Sequence, residues 1–296
     1  MKAGERQAAA LLDRFFEILG LGRVDAAEGL LADGVEFHII GRPGVVPMAG
    51  IYRGKEEVLG YLGSFLEANN PADMLVQFHL EDAGESRRVS SHVNIVSEVR
   101  STGKRYDLEF LYKWELDDAL DKIRGMTLYY STWHLTEAFT EGGDGFVTDQ
   151  RGTDDFGIIP VGFDTTALAA GLYDGFYVRH DVPGTLAFLS DDVVLVEKGN
   201  PALPSNGAYY GKAGFQQLIT GVFCYQIYLS PPAFRNYITR GNRTDVTLDV
   251  HFGDAVTGKN FFITLNQSLI FDVKGRLLEL KSYHDSQEIW MNHLPD

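Results

Sequence analysis

The sequence predicts a duplicated α+β fold, and three observations carry that prediction. First, residues 30–55, LLADGVEFHIIGRPGVVPMAGIYRGK, reappear in altered form at residues 188–212, FLSDDVVLVEKGNPALPSNGAYYGK. Second, the turn Thr-Gly-Lys occurs at 102–104 and again at 257–259. Third, each half places helix-periodic segments before a run of long, alternating β-type segments. One fold, used twice, accounts for all three.

The repeated segments agree best at residues that constrain the backbone. The paired positions include Gly41 and Gly199, Pro43 and Pro201, Gly50 and Gly207, Tyr52 and Tyr209, Gly54 and Gly211, and Lys55 and Lys212. Glycine and proline adopt φ/ψ values that other residues resist. Their recurrence at matching spacing therefore predicts the same backbone path in both halves.

Apolar periodicity predicts the elements of each half in the same order. In the first half we expect helices at 7–19, 24–31 and from 55, a strand at 35–40, and β segments at 75–81, 88–100, 105–116 and 123–134. In the second we expect helices at 166–177, 183–189 and from 212, and strands at 193–197, 234–239, 244–254, 260–271 and 276–285. The Gly-rich stretch 143–160 is the predicted linker between domains 1–142 and 161–296.

Composition narrows the function classes. The 296 residues carry a net charge of −15, which argues against nucleic acid or anionic membrane as partners, because both require basic surfaces. One cysteine excludes an internal disulfide, and with no apolar run of membrane length or signal-peptide core we expect a reducing, cytoplasmic setting. Dinucleotide, phosphate-loop and nucleophile-elbow motifs are missing, and the histidines lack metal-ligand spacing. We therefore expect no cofactor and no metal.

The order of elements, with an (Ala/Ser)-Asp-x-Val strand start and Gly-x-Tyr-x-Gly-Lys opening a helix, resembles the nuclear transport factor 2-like (NTF2-like) superfamily. Within it, the SnoaL-like and ketosteroid isomerase-like branch is the nearest in pattern. The resemblance implies two cone-shaped, cystatin-like α+β barrels, each a curved antiparallel sheet wrapped around helices over an apolar pocket, packed as a pseudo-dimer. Members include isomerases, dehydratases, cyclases, hydrolases and binding domains, so the fold alone selects no reaction.

The resemblance to ketosteroid isomerases, enzymes that tune the pKa of their carboxyl groups, implies three site positions. In the second half they fall on Tyr173, Glu197 and Gln267, and in the first on Phe15, Ile39 and Tyr112. A carboxylate in an apolar cone gains basicity, and donors across the pocket can hold an oxyanion. The structural alternative is a solvated Glu197 at a strand end, beside Lys198.

The last strands differ between the copies. SnoaL-like enzymes often end this strand with Tyr-x-Asp, and the second half has Tyr283-His284-Asp285, whereas the first has Tyr129-Tyr130-Ser131. Neighbours on a strand point to opposite faces, so at most one of His284 and Asp285 enters the pocket. The resemblance favours Asp285 as a catalytic acid.

The first half offers its own polar set. Scytalone dehydratase-like members use histidines and tyrosines, which makes His38 and His92 candidate catalytic residues, although a buried or surface structural role is the alternative for each. The candidate substrate-binding residues of the two halves are Tyr52, Asn94, Tyr112, Tyr130, Trp133, Tyr209 and His284.

Together these features favour a cofactor-independent lyase, dehydratase or isomerase. General acid-base catalysis would act on a bulky, apolar, ring-containing molecule of aromatic, polyketide-like or steroid-like type. Two alternatives stay open. One is a non-catalytic small-molecule-binding or scaffold protein, and the other is an epoxide-type hydrolase, for which Arg235 and Arg240 lie near the expected strands. The partners expected are a small apolar substrate and further copies of the chain.

Overall fold

The computed structural model describes residues 3–81, 87–149 and 157–294. The chain divides into two compact units, Met1–Asp149 and Gln150–Asp296. In the first unit the helices are α1 (Ala3–Gly20), α2 (Val24–Ala27), α3 (Gly54–Ala68) and α4 (Thr132–Phe139), with a 3-10 turn at Glu28–Leu30. Its strands are β1 (Leu31–Ile39), β2 (Gly50–Arg53), β3 (Asn69–Glu81), β4 (Arg88–Val99), β5 (Arg105–Leu116), β6 (Ile123–Tyr129) and β7 (Phe146–Thr148).

The second unit repeats this order. Its helices are α5 (Thr165–Tyr173), α6 (Val182–Ala187), α7 (Gly211–Phe223) and α8 (Ser286–His293), with a π-helical turn at Asp174–Val178. Its strands are β8 (Leu189–Glu197), β9 (Gly207–Tyr210), β10 (Gln226–Tyr228), β11 (Ala233–Arg240), β12 (Arg243–Asp254), β13 (Asn260–Phe271) and β14 (Leu277–Tyr283). The predicted α+β class, with a sheet and helices in each half, is confirmed.

Both sheets are mixed rather than antiparallel, which corrects one part of the prediction. The first has the order β2-β1-β6-β5-β4-β3, with β7 beside β5, and the second has β9-β8-β14-β13-β12-β10, with β11 beside β12. In each unit a meander of antiparallel strands returns the last long strand next to the first. That closing pair, β1 with β6 and β8 with β14, is parallel.

The repeated glycines adopt matching backbone conformations. Gly54 and Gly211, which open α3 and α7, have φ values of 75° and 66°. Gly103 and Gly258, in the recurring Thr-Gly-Lys turns, have φ values of 69° and 72°. Positive φ is unfavourable for residues with a Cβ atom, so these positions keep glycine in both copies. The duplication seen in the sequence is therefore also a duplication of backbone geometry.

Several predicted boundaries differ from the structure. The helix expected at 24–31 ends at Ala27, and the strand expected at 35–40 begins at Leu31. The strands expected at 123–134 and 276–285 end at Tyr129 and Tyr283, and each is followed by a short helix, α4 or α8. The predicted linker 143–160 contains β7, which pairs in parallel with β5 and so belongs to the first sheet. Residues 82–86, between the strands expected at 75–81 and 88–100, and linker residues 150–156 lie outside the described residues. Among the helices described, none is long and apolar enough to cross a bilayer.

Candidate active site in the second unit

The second sheet places three polar residues in one row. Glu197 at the end of β8 is paired with Ser282 on β14, and Ser282 is paired with Gln267 on β13. Residues paired directly across neighbouring strands point to the same face of the sheet. These three side chains therefore share a face, and it is the face covered by α5, which ends at Tyr173.

The four side chains form a continuous chain of hydrogen bonds. The Tyr173 hydroxyl donates to Gln267 Oε1 at 2.8 Å, and Gln267 Nε2 donates to Ser282 Oγ at 2.7 Å. Ser282 Oγ then donates to Glu197 Oε1 at 2.8 Å. Each donor points toward the carboxylate, which is the final acceptor. The arrangement orients Glu197 and leaves its second carboxylate oxygen for another partner.

The row faces a cavity with a volume of about 80 Å³. Its apolar wall comes from α5, α7, the π-helical turn and the sheet, and includes Leu172, Phe176, Phe215, Leu218, Phe252 and Leu265. Glu197 is the one charged residue among the described lining residues. Lys198 points the other way, with its ammonium 5.3 Å from the centre of the Tyr283 ring. Glu197 is half-buried and borders the cavity, so it is not a fully solvated strand end.

Burial controls the protonation of Glu197. Removal from water raises the pKa of its carboxyl from 4.5 to about 7, while the hydrogen bond from Ser282 acts in the opposite direction. Near neutral pH the group therefore exists in both forms. A carboxylate with this basicity can take a proton, and the resulting acid can return it.

Replacing Ser282 by alanine should raise the pKa of Glu197 above about 7, because the ionised carboxylate loses its donor. The measurement is a pH titration of the Glu197 carboxyl carbon by NMR. Ser268→Ala is the matched control, since Ser268 follows Gln267 on β13 and lies on the opposite face. A midpoint unchanged in Ser282→Ala would show that this hydroxyl does not stabilise the carboxylate.

His284, rather than Asp285, lies at the cavity. Leu280, Ser282 and His284 alternate along β14 and its extension, and both Leu280 and His284 line the cavity. Asp285 is instead the N-cap of α8, and its carboxylate accepts from the backbone N–H of Glu288 at 3.1 Å. Aspartate is a preferred N-cap residue, which explains its place after the strand. The catalytic position expected for Asp285 is therefore corrected to a helix cap.

Tyr52 and Tyr209 have the same structural contact in both units. The Tyr52 hydroxyl donates to the Met48 carbonyl at 2.9 Å, and the Tyr209 hydroxyl donates to the Pro204 carbonyl at 3.0 Å. Each tyrosine thereby holds the Gly/Pro-rich loop that precedes its own strand. Tyr209 is not among the described residues that line the cavity.

The corresponding row of the first unit is apolar or aromatic. Ile39, Leu128 and Tyr112 are paired across β1, β6 and β5, just as Glu197, Ser282 and Gln267 are paired in the second unit. Tyr112 stacks on Trp114 with ring centroids 5.3 Å apart, and Trp114 also contacts Phe15 at 5.3 Å. Aromatic rings thus occupy the space beneath α1. Ile39, Leu128 and Tyr112 stand where the second unit has its carboxylate and hydrogen-bond donors.

The other candidates of the first unit lie apart from this row. His38 is exposed on β1, on the face opposite Ile39. His92 stacks on Phe78 at 4.2 Å, and it shares a face of β4 with Asn94 that is opposite to Ser91. Tyr130 is buried, and its hydroxyl donates to the Ile40 carbonyl at 2.9 Å. Trp133 lies in α4. The structure does not bring these residues together in one site.

Sequence reasoning missed Ser282 and two tyrosines of the cavity. Tyr177 in the π-helical turn contacts Tyr228 edge-to-face with ring centroids 5.1 Å apart, and both tyrosines line the cavity. Leu280, Ser282 and His284 alternate in the sequence, which predicts that they share one face of β14. This pattern indicates that Ser282 is near the site only if that face is known to point inward. Short π-helical turns occur frequently at functional sites.

Comparison with known proteins gives structural matches only. No family model and no curated protein matches the chain. An NTF2-like protein of unknown function from Burkholderia pseudomallei has 20% identity and a TM-score of 0.39, and it covers 43% of this chain and 95% of its own. An NTF2-like protein from Burkholderia thailandensis has 15% identity and a TM-score of 0.40 and covers 45% of this chain and 99% of its own.

A third match is TerC, co-crystallised with polyporic acid. It has 19% identity and a TM-score of 0.38, with 44% of this chain and 97% of its own covered. This chain is thus similar to NTF2-like proteins of about half its length. The matches assign no reaction to it.

Proposed function

We propose that the second unit is a cofactor-independent general acid-base catalyst, an isomerase or lyase that removes a proton next to a carbonyl group. The observation that carries the proposal is the Glu197 carboxylate, which faces an apolar cavity at the end of a chain of donors. A general base that works near neutral pH needs a carboxylate whose pKa is raised by poor solvation, and Glu197 has this property.

The chemistry follows from the groups that face the cavity. The Glu197 carboxylate takes a proton from the carbon next to the carbonyl, and the C–H electron pair forms a C=C bond while charge moves to the carbonyl oxygen. If the substrate is a β,γ-unsaturated carbonyl compound, the dienolate can take the proton back from Glu197 at the γ-carbon, which gives the conjugated isomer. If the β-carbon carries a leaving group, the enolate electrons form the α,β C=C bond as that group departs, which gives elimination. Both outcomes need only one residue that accepts and returns a proton.

The cavity favours a compact substrate. Its volume of about 80 Å³ is smaller than the ~150 Å³ of an engineered cavity that binds benzene. A single ring bearing one carbonyl is much closer to this volume than a steroid-sized molecule, which demands far more space. We therefore narrow the bulky substrate expected from sequence to a compact cyclic carbonyl compound.

The epoxide-hydrolase alternative is not favoured by the described lining residues, which include no arginine. Arg235, which sequence placed near the expected strand, binds Asp249 at a mainly exposed position. An Asp-Arg-Asp arrangement for activating water does not form around it in the described cavity.

Hydrogen exchange on a simple ketone tests the proposal without knowledge of the natural substrate. Cyclohexanone is incubated with the full chain in D₂O, and loss of its α-proton signal is followed by NMR. We expect exchange faster than in buffer, with a rate that rises as Glu197 ionises through pH about 7. Exchange no faster than in buffer at any pH between about 5 and 9 would contradict the proposal.

A further inference from the structure

Most polar side chains at the cavity already have partners within the protein. Hydrogen bonds within the protein involve Tyr173, Gln267 and Glu197, and also Thr185, Ser205, Asn206 and Gln226. In particular, the Tyr173 proton is donated to Gln267 Oε1. The tyrosine to which the family resemblance assigns the oxyanion contact is therefore engaged elsewhere.

His284 differs from these residues. It is 3% exposed, and neither Nδ1 nor Nε2 has a hydrogen-bond partner within the described part of the chain. Buried polar groups are almost always hydrogen-bonded, and leaving one without a partner is unfavourable. Because the imidazole borders the cavity, a molecule bound there can supply the missing partner.

The repeat shows that this position can be satisfied internally. Tyr130 comes directly after Tyr129, the last residue of β6 in the first unit. His284 comes directly after Tyr283, the last residue of β14 in the second unit. The Tyr130 hydroxyl donates to the Ile40 carbonyl. Tyr130 in the first unit therefore has a hydrogen-bond partner within the protein. His284 in the second unit has none among the described residues.

The charges at the cavity limit the ligand further. Glu197 is the one charged group among the described lining residues, and neither lysine nor arginine lines the cavity there. Burial also holds the pKa of His284 down at about 4, so its ring is uncharged at neutral pH. An anionic ligand would meet a carboxylate and no cation, whereas an uncharged ligand meets one N–H donor and one lone pair.

We propose that His284, rather than Tyr173, selects and orients the ligand by hydrogen bonding through an uncharged imidazole to the carbonyl oxygen of a compact, uncharged cyclic compound. The proposal rests on the proposed function of this cavity and names its substrate class. Glu197 then faces the α-carbon, and the His284 N–H contacts the oxygen on which charge develops.

Three probes that share a six-membered ring test this selection by binding to the full chain. Cyclohexanone carries the carbonyl, methylenecyclohexane replaces its oxygen with CH₂, and cyclohexanecarboxylate carries a negative charge. His284→Leu should raise the Kd of cyclohexanone about fivefold and change that of methylenecyclohexane less than about twofold, because one hydrogen bond is lost at similar volume. His251→Leu is the matched control, since His251 stacks on the exposed Phe262 and does not line the cavity.

A second measurement uses the wild-type protein and does not depend on folding of the variant. With ¹⁵N-labelled histidine, cyclohexanone should shift the ring nitrogens of His284, and methylenecyclohexane should not. Equal shifts with both probes, or no shift up to the solubility limit of the ketone, would overturn the proposal. The proposal would also be overturned if cyclohexanecarboxylate bound as tightly as cyclohexanone. The same holds if the preference for cyclohexanone over methylenecyclohexane were lost in Tyr173→Phe and kept in His284→Leu.

Failure of this proposal is distinguishable from failure of the proposed function. If His284→Leu retains its affinity for the ketone while the wild-type protein still exchanges α-protons, the ligand contact is wrong and the general base stands. If His284→Leu loses that affinity but no exchange occurs, the binding role stands and the catalytic role is wrong.

Discussion

Replacing Glu197 by glutamine should lower the rate of α-proton exchange on cyclohexanone by about 100-fold or more, the usual contribution of a positioned general base. Glutamine has a similar shape and can still accept from Ser282, so the cavity is preserved while the basic group is removed. The measurement is the NMR exchange rate in D₂O at neutral pH.

Glu36→Gln provides a matched control for this change. Glu36 lies on β1, where it forms an exposed ion pair with Arg53 at 2.9 Å, and such pairs contribute little to stability. The control should exchange protons at the wild-type rate. If Glu197→Gln matched the control, the base would have to be another group, and the role assigned to the carboxylate would be wrong.

Glu197→Gln should also remove part of the pH dependence of the free energy of unfolding. The pKa of Glu197 is about 7 in the folded chain and near 4.5 in the unfolded chain. Between these values the folded state binds more protons, so the free energy of unfolding falls as pH rises through this window. Glu197→Gln removes that contribution, and its stability relative to wild type should increase from pH 4.5 to about 7.

Truncation of Trp114 to alanine should destabilise the first unit by about 3–5 kcal/mol. Trp114 is 1% exposed, contacts Phe15, Phe16 and Phe37 through its ring, and donates from Nε1 to Ser91 Oγ at 2.8 Å. The substitution removes a large side chain from a packed interior and leaves a buried hydroxyl short of one donor. Urea unfolding of the full chain, followed by near-UV circular dichroism, gives the change in free energy.

Phe262→Ala is the comparison for the Trp114 variant. Phe262 is 73% exposed, so its truncation should alter stability by less than about 0.5 kcal/mol. A Trp114 variant that unfolds at the same urea concentration as this control would show that the aromatic side chains do not form a packed core. The description of a first unit filled by aromatic side chains at the position of the cavity would then be wrong.

Much of the fold was predictable because backbone constraints and apolar periodicity are local properties. The glycines at 54 and 211 mark the same positive φ, and β13 begins and ends at the predicted residues 260 and 271. The parallel pairing of β1 with β6 and of β8 with β14 was not predictable in the same way. It depends on contacts between residues far apart in the chain, which periodicity does not report.

The site was predictable in part for the same reason. Tyr173, Glu197 and Gln267 were implied by the resemblance to ketosteroid isomerases, but Ser282 becomes visible only when β14 is known to lie between β8 and β13. His284 and Asp285 depended on the residue where the strand ends. Since Asp285 caps α8, the chain turns there, and the inward position belongs to His284.

The two units place different side chains at the same register positions of a duplicated fold. One register row holds Ile39, Leu128 and Tyr112 in the first unit, and Glu197, Ser282 and Gln267 in the second. The first set packs with aromatic rings, and the second orients a carboxylate toward a cavity. The same backbone thus supports either a packed apolar interior or a row of hydrogen-bonded polar side chains.

The most direct test is a pH titration of the Glu197 carboxyl carbon by ¹³C NMR in the full chain, with the resonance assigned by its loss in Glu197→Gln. Burial against the apolar wall predicts a midpoint at about 7. A midpoint near 4.5, the ordinary value for glutamate, would mean that the carboxylate is well solvated and would contradict its role as the base.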